Sequence, residues 1–72
     1  MAYTLHYDQD RERRASTHGS LDAAVEHAAR GEDAGRLYAV SISAPDGAVV
    51  MHGDALRIAI AARVYEWDAR RE

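Results

Sequence analysis

The amino-acid sequence predicts an α+β fold: a small two-layer domain, ββαββα, whose antiparallel four-stranded sheet is packed with two helices. Three observations predict it. The length of 72 residues supports one core and therefore a single domain over 1–72. Apolar residues change from period two to helical spacing twice along the chain. His18-Gly19-Ser20, where a strand pattern gives way to a helix pattern, has a counterpart in His52-Gly53-Asp54, 34 positions later. Few other positions match at that offset, so the repeat is one of topology.

The elements follow in order. Tyr3-Thr4-Leu5-His6-Tyr7 alternates apolar and polar as a half-buried strand does, and Asp8-Gln9-Asp10 supplies turn chemistry. A returning strand through Arg13 to His18 is expected on topology more than on pattern. Ser20 is placed as an N-cap, its hydroxyl accepting a free backbone N–H. In the first helix Leu21, Ala24, Val25, Ala28 and Ala29 make one narrow apolar stripe. Asp22, Glu26 and Arg30 line the other side, with Glu26 and Arg30 spaced to pair. Gly31 to Gly35 is expected to end it. Tyr38, Val40 and Ile42 then alternate against Ala39, Ser41 and Ser43, Pro45-Asp46-Gly47 turns the chain, and Ala48 to His52 returns. Asp54 is the expected cap of a second helix from about Ala55 to Trp67. Strand order is not readable from the sequence.

A core of this size is marginal, since a domain of about 60 residues buries only roughly 60% of its unfolded surface. Cysteine is absent, which removes a disulfide framework, a thiolate metal site and a cysteine nucleophile together. Oligomerisation or partner binding is the expected supplement. No apolar run approaches a membrane span and Met1 to Asp10 lacks a signal pattern, so a cytoplasmic location without membrane contact is expected. Nine basic residues, all arginine, against twelve acidic ones give a net charge of −3. That usage fits GC-rich bacterial or phage genes. A mildly acidic domain is a poor reader of nucleic acid, which needs a basic face.

The second helix is the most informative segment. At 100° per residue Leu56, Ala59, Ile60, Val64 and Trp67 gather on one side, and Ile58, Ala61, Ala62 and Tyr65 on the opposite side. Only one side can face the sheet. The other needs a cover: the first helix, a second copy of the chain, or a foreign protein. Tyr65 and Trp67 are of the type enriched at interface centres and are also ordinary core residues.

The candidate chemistry is sparse. His6 and His27 are expected on polar faces without a partner at ligand spacing, whereas His18 and His52 end equivalent strands and would converge if those strands were neighbours. Two nitrogens fall short of the three or four ligands of a zinc site, so no metal is expected. Ser16, Thr17 and His18 are contiguous, but strand neighbours point to opposite faces, so the adjacency is no catalytic dyad. Glu32-Asp33 is expected in a solvated loop, where nothing separates the two pKa values as acid–base catalysis requires. No phosphate-cradling glycine loop is present. Arg11, Arg13 and Arg14 form the one basic cluster, with Asp8, Asp10 and Glu12 interleaved. Arg13-Arg14-Ala15-Ser16 also matches the short motif of basophilic kinases.

These readings predict no enzyme and no cofactor. They predict a protein-binding module, an inhibitor or adaptor acting on a larger bacterial machine, with Ile58, Ala62, Tyr65 and Trp67 and the acids Asp22, Glu26, Glu32 and Asp33 as its contact residues. Small acidic phage proteins that disable bacterial nucleases, anti-CRISPR proteins among them, are similar in size, charge and lack of catalytic residues, a likeness of kind that no motif carries. The expected partner is a protein, a nucleic-acid-handling complex being one case, with a homodimer as a further form of contact. A nucleic-acid binder using Arg11 to Arg14 and a purely structural homodimer or accessory subunit are the alternatives.

Overall fold

The computed structural model describes residues 2–70. The chain forms β1 (Tyr3–Gln9), β2 (Glu12–His18), α1 (Leu21–Asp33), β3 (Tyr38–Ser43), β4 (Val49–His52) and α2 (Gly53–Ala69). The strands make one antiparallel sheet in the order β2-β1-β3-β4. Both helices contribute to a single core with Leu5 and Ile42 of the sheet, which gives the two-layer ββαββα arrangement expected from the sequence.

β1 and β2 form a regular hairpin, from Tyr3 opposite His18 to Gln9 opposite Glu12. Its two-residue turn places Asp10 and Arg11 at positive φ, 53° and 68°, the twist a tight hairpin demands. β2 has almost no apolar pattern because it is an edge strand, with Ser16 rather than a large apolar residue opposite buried Leu5. The β3 alternation expected from Tyr38, Val40 and Ile42 is broken. The register against β1 slips between His6 and Tyr7, leaving Val40 as a bulge, so Ala39 and Ile42 are the buried pair and Tyr38 faces out. A second bulge leaves Val50 unpaired between β3 and β4.

Ser20 caps α1 as expected, its hydroxyl accepting the Ala23 N–H at 3.0 Å. The helix ends at Asp33, inside the Gly31 to Gly35 stretch expected to end it, and Gly35 follows at a φ of 73°. Gly31 itself lies within the last turn, where Leu37 folds over it so closely that a Cβ would fall within the leucine side chain. Ala24, Ala28 and Ala29 are fully buried, and their small side chains let the helix lie close on the sheet. α2 begins at Gly53, two residues before the expected start. Its N-cap position is His52 with no side-chain cap bond, so Asp54 lies in the first turn rather than capping it. Leu5, Ile42 and Leu56 are the largest fully buried side chains and meet where both helices cross the sheet.

Candidate functional site

The side of α2 that carries Leu56 and Ile60 is buried, and Val64 and Trp67 pack beside it. The opposite side is in solvent. Ile58 is 69% exposed and Tyr65 75% exposed, and Ala61 and Ala62 between them are exposed too. α1 therefore does not cover the second apolar face of α2. It shares the core with the buried side, and Arg57 and Arg63, on the two margins of that side, make the polar contacts between the helices.

Those contacts account for most of the acids picked out in the sequence. The Arg63 guanidinium donates to Glu26 at 2.6 Å and to Asp22, and Glu26 also receives Arg30 at 2.6 Å. Glu32, expected in a solvated loop, sits in the last turn of α1 and is the most committed acid. Arg57 donates to both of its oxygens, at 2.7 and 2.5 Å, and to the Ala39 carbonyl at 2.8 Å, while the Ala39 N–H donates to Glu32 Oε2 at 2.8 Å. This closed set ties the end of α1 to the start of α2 and to the bulged segment of β3. The Arg57 guanidinium also lies 4.5 Å from the centre of the Tyr38 ring. Asp33 alone of the four acids is exposed without such a contact among the described residues. Trp67 belongs to the inner face, partly buried with Arg30 5.1 Å over its ring. Ile58, Ala62 and Tyr65 remain together as one uncommitted surface.

Histidine placement differs from expectation. His18 and His52 lie on β2 and β4, the opposite edges of the sheet, and cannot converge. His18 instead meets His27 of α1, with ring centres 4.9 Å apart, so His27 does have a partner. Ser16 and His18, two apart on one strand, share a face, and Ser16 Oγ lies 2.8 Å from His18 Nε2. Weighing adjacent residues alone missed this pair, although the period-two rule contains it. Burial, and then the nearby His27, lower the His18 pKa from 6.5. A serine nucleophile needs its histidine oriented by a third group; the ring beside His18 is a second base, not a carboxylate. Among the described residues no group of three or more His, Asp or Glu side chains is disposed to hold a metal.

The basic cluster is largely neutralised within the hairpin. Arg13 pairs with Asp8 at 2.6 Å and Arg14 with Glu12 at 3.3 Å. Among the described residues no helix is long and apolar enough to cross a membrane. Comparison of the chain with protein-family models, with curated proteins and with solved structures finds no match.

Proposed function

We propose that this chain is a non-catalytic protein-binding module, of the inhibitor or adaptor kind, that acts by docking the outward face of α2 on another polypeptide. One observation carries the reading: two large apolar side chains, Ile58 and Tyr65, stand in solvent two turns apart with only alanines between them on that face. Burying a side chain of this size is worth roughly 1.5–3 kcal/mol, so the face holds free energy that the isolated domain does not use. Aromatic residues anchored among smaller ones are the usual pattern of an interface centre. The acids Asp22, Glu26 and Glu32 serve this role indirectly, by fixing α2 through Arg57 and Arg63.

The test is a photoreactive phenylalanine analogue placed at Tyr65, with a control at Asp10 in the β1–β2 turn, irradiated in the cells that make the protein. A discrete protein adduct from position 65 and none from position 10 is the expected result. Absence of any adduct from position 65 would refute the docking face.

A further inference from the structure

We infer that His18 of β2 and His27 of α1 together form a two-histidine site for a divalent ion of the zinc class, which clips the edge of the sheet to the first helix. The pair lies over β1 and β2, whereas α2 packs over β3 and β4, so the site is separate from the docking face and does not depend on it.

The separation of the two rings is what one shared ion requires. A zinc–nitrogen bond of about 2.0–2.1 Å puts the ion about 3.2 Å from the centre of each imidazole it binds. Angles of about 90° to 109° at the ion then set the two ring centres about 4.5–5.2 Å apart. The centres of His18 and His27 lie 4.9 Å apart with their planes inclined by 42°, so the rings meet without stacking face to face. His27 is exposed, and the torsion that turns an imidazole is a broad one, so its ring can present a nitrogen without moving the helix. One residue ends a strand and the other stands inside a helix, so a shared ion fixes two elements that otherwise join only through Gly19-Ser20.

The surroundings suit ligation. Ser16 Oγ lies 2.8 Å from His18 Nε2. In the tautomer that donates Nε2–H to this hydroxyl, His18 Nδ1 keeps its lone pair, and the second ring nitrogen is held as it is in most metal-ligating histidines. Burial and then His27 lower the His18 pKa from 6.5, so at neutral pH no proton has to leave this ring before an ion binds. The Tyr7 ring stands 6.4 Å from His27 on the strand side. Among the described residues no Asp or Glu joins the two histidines as a third ligand, so water fills the remaining positions. Two imidazoles and water favour zinc over magnesium, which prefers oxygen ligands. Such a clip is one of the staples that a small core without disulfides uses.

The test is the thermal midpoint of the purified chain with zinc chloride up to about 1 mM at about pH 7.5, beside magnesium chloride, with the histidine ring signals followed by NMR. Zinc is expected to raise the midpoint and to move the signals of His18 and His27 together, saturating at one ion per chain, and magnesium to do neither. His27→Gln changes an exposed helical position that glutamine tolerates, so it is expected to fold as wild type does and to weaken zinc about tenfold or more. The same weakening is expected of His18→Gln. His6 and His52 provide the control: both pair with Ser41, one from each side of β3, which puts them about 9.6 Å apart, too far to share an ion. His52→Gln is therefore expected to keep the full response to zinc. A midpoint that does not rise with zinc, a rise that survives intact in His27→Gln, or a rise lost in His52→Gln would overturn the site.

Discussion

The two faces of α2 use the same kinds of residue and meet opposite fates. Leu56 and Ile60 are buried at 0% and 5% exposure, while Ile58 and Tyr65, half a turn around the same helix, are mostly in solvent. α1 has no such duality: its apolar residues form one stripe, and that stripe is buried. The contrast teaches that the outward residues of α2 are not spare core. The inner face is fixed along its margin by Arg57 and Arg63, so α2 cannot roll to hide Ile58 without breaking both sets of ion pairs.

The sharpest way to break the comparison is to truncate matched residues on the two faces. Leu56→Ala removes a fully buried side chain and is expected to cost about 2–5 kcal/mol, enough to unfold much of so small a domain, as read by urea denaturation. Glu32→Gln asks what holds the inner face in place. It weakens a part-buried set of charge-assisted bonds, with Arg57 one-third exposed, and a loss of about 1–2 kcal/mol is expected by the same measurement. An unchanged midpoint would mean that packing alone orients α2.

The smallest effect expected is a pH dependence from β2. Burial and His27 hold the His18 pKa below 6.5, so the folded state disfavours the proton that the unfolded state accepts. In the interval from 6.5 down to the lowered folded pKa the unfolded chain binds more protons, and stability falls as the pH falls. His18→Gln is expected to flatten that slope in a series of thermal melts, and an unaltered slope would place its origin elsewhere.

How much of this was legible in the sequence depended on the range of the interaction. The Ser20 cap, the Glu26–Arg30 pair and the two-sided pattern of α2 are local and were readable. The Val40 bulge was not, because nothing in Tyr38 to Ser43 departs from alternation; the slip is imposed by pairing with β1. Strand order was hidden for the same reason, and with it the separation of His18 from His52. Glu32 looked like a loop acid because flanking glycines suggested a break, while its true partner, Arg57, lies 25 residues away. Arg57 and Arg63 themselves were not singled out in the sequence. Their signal was two cations in the otherwise apolar stretch from Ala55 to Tyr65, facing a first helix with surplus acid.

The central claim is that Ile58 and Tyr65 serve contact and not the fold. Its most direct test is the thermal midpoint of the wild-type chain and of the double variant Ile58→Gln/Tyr65→Gln, each at low protein concentration. Glutamine keeps helix propensity, so the two chains are expected to melt together when dilute, within about 0.5 kcal/mol. A variant that already melts well below wild type when dilute would contradict the account, because the outward face would then belong to the core.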